Sequence, residues 1–280
     1  MNRLAIIYDH VRWEEKALVN TAKKKGIDLE TINSSDLIID LDNDIDMPDL
    51  ILQRSVSYFK SLHSTAALEG KGKRVINQLF TSIHAGNKLF THTLLKNANI
   101  PTPRAFIAFT HENALKAMDR LGYPVVLKPT IGSWGRLIAL LNDKDAADAV
   151  LEDREHMFPI YQIYYIEEFV KRPPRDIRAI VVGEEVVGAI YRYSGVNQWK
   201  TNMALGGRAE LCEVSKEMED LCIKASKALK GDIVGVDLME SDEKGLLIHE
   251  VNNTTEFKNV ARITGVDIPS KMIDYALSLK

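Results

Sequence analysis

The first 76 residues alternate short apolar runs with helical stretches, and that rhythm restricts the fold more than any other feature of the chain. Leu4 to Ile7 is a continuous apolar run closed by Tyr8-Asp9, and helix formers follow from Arg12 to Lys25 until Gly26 stops them. Ile27 to Ile32, Leu50 to Leu52 and Arg74 to Ile76 read as further buried strands, with a helix at Tyr58 to Glu69 between the last two. Alternation of this kind predicts an α/β fold that opens with a small doubly wound sheet. A dinucleotide site after the first strand would need glycines so that backbone can approach a pyrophosphate. The turn there is Asp9-His10-Val11-Arg12, without glycine, which argues against a dehydrogenase and for a substrate-side or scaffold lobe.

Beyond this lobe the pattern changes. Lys88 to Ala98 reads as a helix ended by Asn99 and the Pro101-Thr102-Pro103 crossing, so a boundary is expected near Asn87, dividing the chain into residues 1–87 and 88–280. A strand at Ala105 to Phe109 and a helix at Glu112 to Leu121 come next. Strands follow at Val125 to Lys128, Leu137 to Leu141, Tyr161 to Glu168, Ile177 to Val182 and Glu185 to Arg192, the last two joined at Gly183. A helix at Ser215 to Leu229, strands at Ile233 to Met239 and Leu246 to Val251, and a final helix near Ser270 to Leu279 complete the series.

Composition excludes several functional classes. With 36 Lys+Arg against 39 Asp+Glu the formal charge is -3, too small to draw in nucleic acid or an anionic membrane from a distance. The longest stretch without a charged side chain, Val75 to Asn87, is far short of the roughly 18 residues a membrane span needs. Asp9 falls where a secretory apolar region would continue, so no signal peptide is visible, and a cytoplasmic setting is expected. Cys212 and Cys222 alone make neither a disulfide framework nor a structural zinc site.

Four constellations carry chemistry. Lys128 closes an apolar strand before Gly132-Ser133-Trp134-Gly135-Arg136, a loop able to close over a ligand while Lys128 and Arg136 meet phosphate oxygens; a tight hairpin with a snorkelling lysine is the alternative. Glu167-Glu168-Phe169-Val170 ends a strand with an apolar step suited to a planar base, and Asp176 could take ribose hydroxyls; otherwise this is a solvated charged turn. Asp237 sits inside an apolar strand, and Glu250 and Asn252, two apart on the next strand, share a face. Three hard oxygen donors suit magnesium with phosphates, the alternative being a buried salt bridge to an arginine. Finally, Arg192 and Asn202 could stabilise charge on a transferring phosphoryl group and on the carbonyl it attacks.

Taken in order, Lys88, Lys128 with the Gly132 to Arg136 loop, Glu167 to Val170, Arg175-Asp176-Ile177-Arg178, Asn202 with Gly206-Gly207, Asp237 and Glu250-Val251-Asn252 resemble the ATP-grasp ligases of the RimK-like branch across essentially the whole chain. Pro129 to Arg136 and Asn252 to Asn259 narrow the resemblance to the LysX and ArgX type, ligases that join an amino acid to the acidic amino-group carrier protein LysW. RimK-type enzymes that extend ribosomal protein tails carry a proline-glycine pair shortly after the E-V-N, and this sequence lacks it.

The resemblance implies an ATP-grasp fold with a Rossmann-like pre-ATP-grasp lobe at 1–87, a central lid lobe at roughly 122–168 and a carboxy-terminal catalytic lobe. It implies that Lys88 and Lys128 hold ATP phosphates, that Gly132, Ser133, Trp134, Gly135 and Arg136 cover them, and that Glu167, Glu168, Phe169, Val170, Asp176 and Ile177 wrap adenine and ribose. Asn202 would touch ATP, and Asp237, Glu250 and Asn252 would bind magnesium, two ions in all. Arg192, Met203, Asn252 and Glu256, Phe257, Lys258, Asn259 and Val260 would line an amino-acid pocket. Lys128, Arg192 and Asn202 are the expected catalytic residues.

The expected reaction is phosphorylation of the carrier's terminal glutamate carboxylate, then attack by the α-amine of α-aminoadipate. In this family an Asn and a small residue after E-F-K mark aminoadipate use, and Gly-Phe marks glutamate use; here the pair is Asn259-Val260. A glutamate or dual-specificity ligase on the same carrier, or a RimK-like protein-tail ligase, is the alternative. Lys171, Arg172, Arg175 and Arg178 are expected to form a basic face for the carrier, with Lys200 and Arg208 beside it. A symmetric homo-oligomer, dimer or tetramer, is implied as well.

Overall fold

The structure is a computed structural model and describes residues 3–132, 135–195, 198–201 and 208–279. Its amino-terminal sheet is fully parallel, in the order β2-β1-β3-β4, from β1 (Arg3–Tyr8), β2 (Asp28–Asn33), β3 (Leu50–Gln53) and β4 (Arg74–Ile76). Leu4 to Ile7 are all fully buried, as an apolar strand covered on both faces must be. Helices α1 (Trp13–Lys24) and α2 (Tyr58–Gly70) make the crossovers. Since β2 and β3 flank β1 on opposite sides, the carboxyl end of β1 is a topological switch point, where ligands of such sheets bind. Asp9 there accepts the backbone N–H groups of Val56 and Ser57, both at 2.8 Å, and joins the two turns.

After α3 (Leu79–Ala85) and α4 (Lys88–Asn97) come two antiparallel sheets. The first, in the order β5-β8-β6-β7, contains β5 (Ala105–Ala108), β6 (Val125–Lys128), β7 (Ala139–Leu141) and β8 (Tyr164–Glu168). Helices α5 (His111–Leu121) and α6 (Lys144–Glu155) pack on it around Ala114, Met118, Leu127, Leu151 and Ile166. Because β5 pairs with β8, this unit takes in residues well before position 122. Helix α6 was not evident in the sequence, because only Ala147, Leu151 and Arg154 of it are buried and its apolar stripe is correspondingly thin. The strand expected from Tyr161 begins at Tyr164, since Pro159–Gln162 winds into a 3-10 turn.

The second antiparallel sheet runs β11-β10-β9-β12-β13, from β9 (Arg175–Val182), β10 (Glu185–Tyr193), β11 (Ala209–Leu211), β12 (Ile233–Ser241) and β13 (Gly245–Asn252). One face packs on α7 (Lys216–Ala228) through Ala179, Val181, Cys222, Val234 and Val236. At one end of the other face, Ile180, Val182 and Ile233 join the parallel sheet in a single core with Leu4, Leu50, Phe257 and Ile273, roofed by α8 (Lys258–Thr264) and α9 (Ile268–Ser278). Asn77 fastens the junction: its amide donates to the carbonyls of Ile233 and Asn253 and accepts the N–H groups of Asp232 and Ile233.

Candidate active site

Strand register assembles the polar centre. Across the second antiparallel sheet, Arg192 stands opposite Asp176, and Arg178 and Glu250 both stand opposite Asp237. Side chains of directly paired residues share a face, and Asp176 and Arg178 are two apart on β9, so five charged groups emerge side by side. They open into a cleft of about 1080 Å³ bordered by both antiparallel sheets and by turns and helices of the amino-terminal lobe.

Each buried charge there has a partner. Arg192 donates to both oxygens of Asp176, at 2.7 and 2.8 Å, and lies 3.1 Å from Asp237. Arg178 grips both oxygens of Asp237, and Thr201 donates to Asp176. Burial alone would raise the Asp237 carboxyl, but the charges of Arg178 and Arg192 override it and hold the group well below the usual carboxylate range. Burial likewise opposes the charge on Arg192, and the two aspartates more than restore it. The buried ion pair that the sequence left as an alternative for Asp237 is therefore present.

On the facing sheet, Lys128 at the end of β6 is ion-paired with Glu167 of β8, both buried. Tyr165 donates to the other Glu167 oxygen at 3.0 Å, and His92 of α4 lies 3.1 Å from the Tyr165 hydroxyl. Lys88, at the start of α4, donates to the carbonyl of Gly132 at 2.8 Å and lies 3.7 Å from Glu250. Lys88, Lys128, Gly132, Gly135, Arg136, Glu167, Glu168, Phe169, Val170, Asp176, Arg192, Asp237, Glu250, Asn252, Glu256, Lys258, Asn259 and Val260 all line this one cleft.

Several expectations are corrected. Ile177 and Phe257 do not line the cleft: Ile177 points to the α7 side of its strand, and Phe257 is fully buried between Trp13 and Arg54. Lys171, Arg172, Arg175 and Arg178 do not form one basic face. Arg172 and Arg178 turn into the cleft, Arg175 is tied to Glu240 at 2.7 and 3.0 Å, and Lys171 alone of the four is exposed. Neighbours in sequence were separated by strand alternation, which sends Arg175 and Arg178 to opposite faces of β9. Lys200 donates to the carbonyls of Gly135 and Ile138, at 3.0 and 2.9 Å, and belongs to the cleft wall. Ser133, Trp134, Asn202 and Met203 lie outside the described residues, as do Gly206 and Gly207.

The sequence reading missed two groups. Arg12, Trp13, Glu14, Ser55, Val56 and Tyr58 bring the amino-terminal lobe into the cleft wall, at the carboxyl edge of its sheet. His249 is the other. Register slips where Asp237 pairs with Glu250 but Leu238 pairs with Ile248, leaving His249 as the extra residue of a bulge. Bulges re-aim side chains, and this one brings His249 to within 3.5 Å of Lys128. Burial, and then the charge of Lys128, pushes the imidazole well below its ordinary value, so it is neutral.

Magnesium and a nucleotide fit these residues. Ligand atoms of Asp237, His249 and Glu250 lie within 4.8 Å of one another. Among the described residues the buried amide nitrogen of Asn252 has no hydrogen-bond partner. Hard oxygens beside two lysines are the donor set a divalent cation shares with phosphates.

A doubly wound lobe followed by two antiparallel sheets enclosing such a cleft defines an ATP-grasp enzyme. A model of the RimK-like ATP-grasp domain matches residues 85–276, and one of the LysX preATP-grasp domain matches residues 4–82. The chain belongs to the RimK-like ATP-grasp family: it is an ATP-dependent carboxylate-amine ligase that uses magnesium. It is 40% identical over 271 residues to the α-aminoadipate–LysW ligase LysX of Saccharolobus solfataricus, covering 95% of this chain and 97% of that one. The glutamate–LysW ligase ArgX of Sulfolobus acidocaldarius is 32% identical over 274 residues, covering 98% and 97%. Among solved structures, a RimK domain ATP-grasp protein from Sphaerobacter thermophilus superposes with a TM-score of 0.79 at 22% identity, over 98% of this chain and 99% of that one. Among the described residues no helix is long and apolar enough to cross a membrane.

Proposed function

We propose that the protein joins the α-amino group of α-aminoadipate to the terminal glutamate carboxylate of an acidic amino-group carrier protein of the LysW type. The observation that carries this reading is the 40% identity to an α-aminoadipate ligase, against 32% to a glutamate ligase, each over nearly the whole chain.

A carboxylate is a poor electrophile, so it first takes the γ-phosphoryl group of ATP; the amine then attacks the acyl phosphate, leaving an amide, ADP and phosphate. Most of the acceleration comes from positioning and charge neutralisation. Lys128, held by Glu167, and Lys88, at the start of α4, direct their ammonium groups to the phosphates. Val170 and Phe169 meet the adenine edge. Asp237, Glu250 and Asn252 would hold magnesium, two ions in this reading, whose charge would offset that of the phosphates. Arg192 is the group that meets charge developing on the carboxylate, and Asn202 is assigned a share in this from the sequence resemblance alone. Glu256, Lys258, Asn259 and Val260 form the amino-acid pocket with Asn252, and Met203 is assigned to it from the sequence resemblance alone. Because an acyl phosphate hydrolyses readily, the Gly132 to Arg136 loop serves as a lid that excludes water, and Lys200 holds its Gly135 carbonyl. The acidic carrier presents its terminus to Arg172, Arg178 and Arg192 within the cleft, with Lys171 outside it.

A second reading, a ligase for glutamate or for both amino acids, draws on Val260 following Asn259. One methylene separates the substrates, worth only about 1–3 kcal/mol of discrimination. Intact-mass measurement of the carrier after incubation with enzyme, ATP, magnesium and each amino acid tests both. An adduct with α-aminoadipate is expected; a strong preference for glutamate would favour the second reading, and no adduct with either would overturn both. The reading also places the enzyme in the cytoplasm as a dimer or tetramer, which light scattering checks for the assembly.

A further inference from the structure

Two buried side chains of the amino-terminal lobe converge on the backbone of residues 255–258. Glu14 of α1 is 4% exposed, and its Oε1 accepts the N–H groups of Phe257 and Lys258, at 3.2 and 3.0 Å. Arg54, after β3, is 3% exposed and donates to the carbonyl of Thr255 at 3.0 Å. Glu15 in turn accepts from Arg54 at 3.2 Å and from Arg12 at 2.7 and 3.0 Å, so the arginine is itself held from its own lobe. The Phe257 ring packs edge-on against Trp13, with centroids 5.9 Å apart.

These contacts answer a local need. Helix α8 begins at Lys258, and the residue before it, Phe257, has no side-chain oxygen to accept the first N–H groups. Such groups require an acceptor when buried. Glu14 supplies it across 243 residues of chain. The backbone that carries Glu256, Lys258, Asn259 and Val260 into the cleft is thus placed by the other lobe rather than by its own sequence.

We infer that Glu14 is a positioning residue for the amino-acid pocket: by holding the Phe257 and Lys258 amides it sets the depth of that pocket, and so the choice between dicarboxylic amino acids one methylene apart. The inference rests on the function proposed above. Its effect should fall on the amino acid rather than on ATP, because the hydrogen bonds of Glu14 go to the amides of Phe257 and Lys258 and not to the lysines facing the phosphates.

Full-length Glu14→Ala, Glu14→Asp and Glu14→Gln variants test it in carrier ligation with α-aminoadipate and glutamate. Gln keeps a carbonyl acceptor at the same reach, whereas Asp falls one methylene short and Ala offers none. In the Ala and Asp variants the ratio of kcat/KM for the two amino acids is expected to change about fivefold or more, chiefly through KM of the amino acid, with KM for ATP within about twofold of wild type. Gln should restore the ratio. Should the Ala variant not fold, the Asp and Gln pair decides. An unchanged ratio and amino-acid KM in the Asp variant, or a Gln variant as impaired as Asp, would overturn the inference. Failure of the underlying function is distinguishable, since wild-type enzyme would then attach neither amino acid to the carrier.

Discussion

Arg192 is clamped to Asp176 by two hydrogen bonds, Nε to Oδ1 at 2.7 Å and Nη2 to Oδ2 at 2.8 Å, in register across β9 and β10. Asp176 is buried and the Arg192 side chain is only 12% exposed, so removing one leaves the other short of a partner. Asp176→Ala should cost about 3 kcal/mol of stability, the scale for breaking a buried pair, because Asp237 alone must then answer Arg192 and Arg178. Urea denaturation measures this; an unchanged midpoint would show that Asp176 is not a structural counter-charge for Arg192.

Acid stability should depend on Glu15. Burial would raise its carboxyl, but the hydrogen bond from Arg12 and the charge of Arg54 hold it below its ordinary value of 4.5. Between the folded and unfolded values the unfolded chain binds the extra proton, so stability rises with pH there. The contribution is complete above pH 4.5 and is lost as pH falls through the folded value. The stability gap between wild type and Glu15→Gln should therefore be widest above that pH and narrow below it, as thermal melts across pH 3 to 7 would reveal.

Tyr165 sits between His92 and Glu167, and Glu167 holds Lys128. Tyr165→Phe removes the hydroxyl bonded to both His92 and Glu167; loss of the Glu167 bond alone is worth about 1 kcal/mol and loosens the lysine that meets the phosphates. KM for ATP is expected to rise roughly fivefold, in line with that energy, while KM for the amino acid stays near wild type. Equal effects on both substrates would argue against this route.

Lys200 bonds the carbonyls of Gly135 and Ile138 and ties the glycine loop to the wall of the other sheet. Lys200→Met keeps much of the stem and removes the ammonium. More ADP should form per amide made, because a loosened lid admits water. Parallel assays of ADP and of ligated carrier give the ratio; no change in it would rule out the lid role for this contact.

The strands of the site were legible because burial writes itself into a period. A lysine ending Val125 to Leu127, an aspartate inside Ile233 to Leu238, and Glu250 with Asn252 are exceptions to apolar runs, and an unexpected charge in a strand demands a reason. The same logic explains the errors. Arg175 and Arg178 are neighbours in the sequence, but only Arg178 enters the cleft, because strand positions three apart face opposite ways. His249 was invisible since a bulge breaks the period on which such readings depend.

By itself, the sequence determined the alternation of strands and helices, the lobe order, and the charged residues set into buried strands, because these depend on side chains within a few positions of one another. Only the tertiary structure decided which charges meet: Arg178 and Arg192 with Asp237, Lys128 with Glu167, Glu14 with the amides of Phe257 and Lys258. Those pairings join segments from 39 to 244 residues apart. What selects them is strand register and the requirement that every buried charge and N–H group find a partner, and neither can be met until the sheets have come together.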